Sequence, residues 1–359
     1  MGKVREMSNS IPNCPLYETI SQPDVSNNPN AGLWYDKFCD RWVAGWKSGL
    51  ETEGKAEWVK GFCGRYLGDS HLLEETVDRH IKLLKACNGQ AMAFKTIGPM
   101  VSGLGRSHPV ENGFAWHHLL GVPYLPGTSV KGIVRSYATC WLEGDKKIDK
   151  SDLMRIFGPR DKSIKVGSVI FMDALPIMPV KLKAEVMTPH YGPYYTGADS
   201  EPPGDWHSPV PIPFLAVDED QEFLFGILPR WRGGEKDCKL ASKWLAEALG
   251  VMGAGAKTSS GYGRFSKVDL KNKGMRWLTL LSRKQEMDIV TLLKKSPGNA
   301  LEAWSKVENP KIKYDVAKEI KTLYMSMDSW DRPWGKIKES KRSLEEYFAT
   351  IDTSSKGAE

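Results

Sequence analysis

The sequence contains no run of about 20 apolar residues such as a membrane helix needs, so a spanning protein is not expected. Its start, MGKVREMSNSIPNCPLYE, has no apolar core of the kind a secretory signal carries, which predicts a cytoplasmic protein. Met-Gly opens the chain, yet Glu6 stands where myristoylation prefers Ser or Thr. Cysteine is scarce: six residues, with no CxxC pair, are read as free thiols and not as a disulfide framework or a zinc knuckle. There is no HExxH, no Ser-His-Asp order and no carboxylate cluster, so neither a metal nor another cofactor is expected. A large charge imbalance is also missing. The net charge is +6, and residues 267–359 hold 19 Lys and Arg against 14 Asp and Glu. That excess permits a polyanionic partner without requiring one.

Hydrophobic content of 41% and charged content of 26% describe a globular chain. Residues 1–31, rich in Pro, Asn and Ser, read as an irregular arm. Across 32–90 the spacing of Leu33, Trp34, Phe38, Trp42 and Trp46, then Leu72, Leu73, Val77, Ile81 and Leu84, predicts a helical layer with its tryptophans in the core. Strands are expected in AMAFKTIGPMVSGLG, GSVIFMDALPI, EFLFGILP and GYGRFSKVDL. Between the first two, Val130, Ile133, Val134, Tyr137, Ala138, Trp141 and Leu142 mark an amphipathic helix; Leu240, Trp244, Leu245, Ala248 and Leu249 mark another between the last two. This β-α-β-β-α-β order over 91–269 predicts an α+β, ferredoxin-like (RRM-like) core. An insert over about 181–212, dense in Pro, Gly and aromatics, separates the middle strands and is expected to project as a thumb. Residues 270–359 read as a basic helical extension.

Gly250, Gly255 and Lys257 come within one residue of the phosphate-loop pattern GxxxxGK[ST]. Ala256 intervenes, however, and the loop follows a helix and precedes a strand, the reverse of the order that aims a helix at phosphates. Five glycines between 250 and 263 instead suit close approach to a sugar-phosphate chain. Gly253, Gly255 and Gly261 would offer backbone amides, Lys257 and Arg264 charge, and Thr258, Ser259 and Ser260 hydroxyls. In PGTSVKG, Thr128 or Ser129 is expected at a helix N-cap, with Lys131 and Arg135 one turn apart beside it. Together the two stretches predict a groove for one nucleic-acid backbone.

The stretches GLGRSHPVENGFAWHHLLGVPYLPGTSVKGIVRSY, IFGPRDKSIKVGSVIFMDALPI, VMTPHYGPYYTG, DWHSPVPIPFLAV and GAGAKTSSGYGRF resemble the RAMP superfamily of CRISPR-associated proteins. The resemblance covers roughly residues 91–268. It implies a non-catalytic, RNA-binding backbone subunit of a type III-B RNA-guided effector in antiviral defence, capping the filament near the guide's 3′ end. Guide RNA, target RNA, other RAMP backbone subunits and a small helical subunit are the implied partners. The insert would wedge into the guide–target duplex, and His190 and Tyr191 at its start join the RNA-binding set. The alternative within the superfamily is a metal-independent endoribonuclease that processes guide RNA with a catalytic histidine. His117 and His118 are adjacent, and His190 and His207 flank the insert; packing or local hydrogen bonding is the expected role of each. Asp173 is read as fixing a turn.

Overall fold

The computed structural model describes residues 30–42, 50–143, 149–159, 166–195, 202–204, 206 and 208–356. The chain divides into two compact units, Met1–Asp269 and Leu270–Glu359.

The first unit begins with helices α1 (Ala31–Lys37) and α2 (Thr52–Lys60), the short strand β1 (Tyr66–Leu67) and helix α3 (Ser70–Ala86). Asn30 and Asp69 start α1 and α3 by accepting backbone amides through their side chains. Then come β2 (Gln90–Thr96), α4 (Gly127–Tyr137), α5 (Lys150–Phe157), β3 (Val169–Phe171) and β4 (Leu175–Pro176). They are followed by β5 (Val180–Met187), α6 (Gly192–Tyr195), β6 (Ile212–Val217), β7 (Glu222–Pro229), α7 (Glu235–Val251) and β8 (Phe265–Val268). The larger sheet is antiparallel in the order β3-β7-β2-β8, with β4 pairing further along β7. The unit is thus α+β, and the four strands and two helices read from the sequence lie in it.

Strand β7 explains the layering. Its run EFLFGILP is buried at every position but the last, as a central strand covered on both faces must be. Successive side chains of a strand point to opposite faces. Phe223, Phe225 and Ile227 share a cluster with Trp244, Leu245 and Ala248 of α7. On the other face a Cβ at Gly226 would meet Leu84 of α3. The amino-terminal aromatics join the α7-side core: Trp34, Tyr35, Trp58 and Phe62 are in the same cluster, and the Tyr35 ring stacks on His108 at 4.3 Å. Trp34 is therefore core, as expected. Leu72 and Trp141, placed on apolar stripes by spacing, are exposed.

The insert differs from expectation at both ends. Val180–Met187 pairs with Ile212–Val217 from Leu182↔Val217 to Met187↔Ile212, and β1 completes a second sheet in the order β1-β5-β6. The segment 181–212, expected to project as a thumb, therefore begins and ends in paired strand. Val180, Leu182, Phe214 and Leu215 are buried.

The second unit is helical: α8 (Lys273–Lys284), α9 (Ile289–Lys295), α10 (Pro297–Ser305), α11 (Pro310–Ser326) and α12 (Ile337–Lys356). Asn272, Asp288 and Asn309 cap α8, α9 and α11, and Pro297 and Pro310 occupy the first helical turn, where a missing amide costs nothing. Leu278, Leu292, Trp304, Val316, Ile320, Tyr324 and Leu344 fill its own core. No helix among the described residues is long and apolar enough to cross a membrane.

Candidate nucleic-acid interface

Helix α4 begins differently from the sequence expectation. Its N-cap position is Pro126, so neither Thr128 nor Ser129 is the cap; both lie exposed in the first turn. The cap comes from far along the chain: Gly127 N–H donates to Asp173 Oδ1 at 2.6 Å. A cap supplied 46 residues away leaves no local sequence signal. It also places a carboxylate where the positive end of the helix would otherwise meet a phosphate. Asp173 thus fixes the junction between β3 and α4, and Leu125 bridges Ala174 beside it.

Lys131 and Arg135, one turn apart, are half-buried. Burial lowers the Lys131 ammonium below its ordinary range, and the nearby Arg135 and Arg230 charges lower it further. Arg135 is partly committed to packing: its guanidinium lies 5.9 Å over the Phe157 ring, and Nη2 donates to Gly158 O at 3.4 Å. Arg230, which sequence reasoning passed over, joins these cations from the end of β7.

A fourth cation nearby in sequence is satisfied internally. Arg155 of α5 holds Asp237 of α7 through Nε at 3.1 Å and Nη2 at 3.0 Å, and Ser168 Oγ donates to Asp237 Oδ2 at 2.6 Å. Burial pushes the Asp237 carboxyl up, but hydrogen bonds from Arg155 and Ser168 outweigh it and hold the group below the ordinary carboxylate range. A depressed carboxyl stabilises the fold above its unfolded pKa and loses that contribution as pH falls through the folded value. Asp237→Ala is therefore expected to cost about 2 kcal/mol at neutral pH. The deficit should shrink below about pH 4, where wild type is losing the same interaction. Urea unfolding of both proteins across pH checks this; a deficit independent of pH down to acid would contradict it.

The glycine loop is less open than its composition suggests. Ala254 N–H donates to Gly263 O, Ala256 N–H to Val101 O and Gly263 N–H to Pro99 O, each at 2.7 Å. Ser260, Gly261 and Tyr262 donate within the loop. The amides of Gly255, Lys257, Thr258 and Ser259 make no hydrogen bond among the described residues. Thr258–Ser260 form a single 3-10 turn, preceded by Lys257 in the left-handed region at φ 58°. Gly253 is buried. Arg264 is half-buried, and its Nη1 is enclosed without a hydrogen-bond partner among the described residues. Lys257 Nζ lies 5.6 Å over the Phe214 ring, which joins the loop to the β5–β6 hairpin. Tyr262 lies in the same place, its phenol raised by burial and by Glu185.

The two stretches are held by different anchors, α4 by Asp173 and the loop by Pro99 and Val101. Among the described residues no hydrogen bond, ion pair or ring contact joins them. Beyond the paired strands, His190 and Tyr191 lie with ring centroids 6.4 Å apart, and Val210 N–H donates to Pro189 O at 3.3 Å across the neck of the hairpin. Tyr194, Tyr195 and Trp206 are exposed at 53%, 75% and 71%. His207 lies outside the described residues.

Of the remaining histidines, His117 Nδ1 accepts Leu120 N–H at 3.3 Å and its ring meets Tyr124 edge-on. His80 and His117 are both lowered chiefly by burial, and both lie in the field of Asp173, which opposes that shift.

Residues 93–266 match the model of the RAMP superfamily. It is similar to the CRISPR system Cmr subunit Cmr6 of Pyrococcus furiosus, 32% identical over 48% of this chain and 66% of that relative. It is also similar to the Cmr6 subunit of Saccharolobus solfataricus, 29% identical over 45% of this chain and 51% of that one. The chain thus spans less than two thirds of the length of either relative. A chain in the structure of a type III-B Cmr-beta complex bound to cognate target RNA matches with 24% identity and a TM-score of 0.47. That match covers 61% of this chain and 72% of the other.

Proposed function

We propose that this protein is a non-catalytic RNA-binding backbone subunit of a type III-B CRISPR effector, capping the filament near the guide's 3′ end. Its partners are guide and target RNA, neighbouring RAMP subunits and a small helical subunit. The carrying observation is the aromatic-tipped β5–β6 hairpin seated against the glycine loop through Lys257 and Phe214, in a chain of Cmr6 kinship. The sheet order β3-β7-β2-β8, with α4 and α7 as its crossovers, supports a ferredoxin-like core. Exposed Tyr194, Tyr195 and Trp206, beyond the neck, support a thumb that enters a guide–target duplex. Kinship carries the cytoplasmic location and the assignment to antiviral defence.

The isolated chain should bind single-stranded RNA weakly and with little sequence preference, because its candidate contacts are phosphate-directed. Affinity measured by filter binding should fall as salt rises. The double variant Lys131→Ala/Lys257→Ala, folded by circular dichroism, should flatten the log-affinity versus log-salt slope by about 1.4, at roughly 0.7 per lost contact. A flat salt profile for the wild-type chain would overturn the proposal.

The alternative reading is a metal-independent endoribonuclease that processes guide RNA, with His117 as its candidate acid–base group. Under the proposal, repeat RNA incubated with the chain in EDTA stays intact. Sequence-specific cutting that disappears in His117→Ala would replace the subunit reading by the enzyme.

A further inference from the structure

We infer that the turn Arg230–Trp231–Arg232, with Lys131 of α4, is a stacking site for a single-stranded RNA segment. The inference rests on the RNA-binding reading above and names residues outside the glycine loop and the thumb.

The turn is built rigidly. Arg230 N–H donates to Ser168 O at 2.8 Å and its Nε to Gly167 O at 2.9 Å, clamping the end of β7 to the residues before β3. Gly234 N–H donates to Trp231 O at 3.3 Å, and Gly233, at φ 91°, turns the chain into α7. On this fixed backbone Trp231 is 51% exposed and makes no ring contact among the described residues. The exposed half of the indole offers a flat apolar surface that an unstacked base would cover.

The charges around it point to the ligand. Arg230 and Arg232 are exposed, Lys131 is half-buried, and none of the three has a carboxylate at ion-pair distance among the described residues. Arg155, by contrast, is neutralised by Asp237 and Asp152. The fold pairs the cation it needs for packing and leaves Lys131, Arg230 and Arg232 without a counter-charge among the described residues; burial lowers the Lys131 ammonium first, and repulsion from Arg135 and Arg230 lowers it further. A ligand that relieves that repulsion and covers an indole must carry closely spaced negative charges and flat apolar faces. Single-stranded RNA offers both. A duplex keeps its base faces stacked, and an acidic peptide has no comparable faces.

The test uses the full chain and a labelled oligouridine of about 15 nucleotides, followed by anisotropy across salt. Trp231→Ala should weaken binding about tenfold or more without changing the salt slope, since a stacked base releases no counterion. Trp231→Phe should stay within about threefold of wild type. Arg232→Ala should lower the slope by about 0.7. With 4-thiouridine in the oligomer, photocrosslinks should map to Trp231. Unchanged RNA affinity in Trp231→Ala overturns the site while leaving the RNA-binding reading intact. Loss of partner subunits with RNA affinity intact would make the turn a protein-facing surface and also overturn it. Should the wild-type chain show no salt-sensitive RNA affinity, the RNA-binding reading falls, and this site with it.

Discussion

Replacing residues 190–207 with a short Gly/Ser linker is expected to leave the first unit folded, whereas replacing 181–212 is expected to abolish its cooperative unfolding transition. The shorter excision removes exposed Tyr194, Tyr195 and Trp206 and keeps the neck, where Val210 donates to Pro189. The longer one removes Leu182 and every partner that β6 has in β5. It also weakens the seam between the sheets, where Met100 and Val217 exchange two backbone hydrogen bonds at 3.0 and 2.8 Å. Burying Leu182 alone is worth about 2 kcal/mol, and each lost ladder bond adds about 1 kcal/mol. Their sum reaches the ~5–15 kcal/mol by which a domain is ordinarily stable. Thermal unfolding followed by circular dichroism distinguishes the two deletions. Loss of the transition in the 190–207 variant would make the whole insert part of the core; retention in the 181–212 variant would show that the second sheet is dispensable.

The same segment shows how far the sequence could be read. VKLKAEVM alternates apolar and polar residues as a half-buried strand does, so the signal for β5 was present. It is obscured because its partner begins only at Ile212, beyond prolines at 189, 193, 202, 203, 209 and 211, with Pro213 inside the partner strand itself. Proline is tolerated there because β6 is an edge strand of the β1-β5-β6 sheet, a fact about pairing that no local pattern encodes. Strand β7 is the opposite case: a continuous apolar run has one comfortable place, the middle of a covered sheet. At the candidate interface the residue types were legible and their commitments were not. Thr128 and Ser129 look like caps, yet Asp173 holds the first amide of α4. The glycine loop looks rich in free amides, yet Pro99, Val101 and its own carbonyls take many of them. Arg230–Trp231–Arg232 matched no periodic pattern, and only the exposed indole and the charges without an ion-pair partner among the described residues give it meaning.

Within that loop, Gly255→Val is expected to destabilise the first unit by about 3 kcal/mol, and Gly261→Val by only about 1–2 kcal/mol. Both glycines sit in the left-handed region, at φ 96° and 90°, so any L side chain carries a similar backbone strain at either position. Their surroundings differ. A Cβ at Gly261 meets nothing within 4 Å, whereas one at Gly255 would fall on the Val101 carbonyl oxygen. That oxygen accepts Ala256 N–H at 2.7 Å, the bond that ties the loop to the segment after β2. Relieving the overlap means breaking that bond, and the second cost exists at Gly255 alone. Because the strain is shared, the difference between the variants isolates the contact with Val101. Urea unfolding followed by tryptophan fluorescence should place the Gly255→Val midpoint clearly below that of Gly261→Val. The Gly261→Val chain, still folded, should bind oligouridine more weakly than wild type through altered backbone geometry alone, with an unchanged salt slope. Equal midpoints for the two variants would mean that the loop yields at Val101 without cost, and that its rigidity is not what positions Lys257.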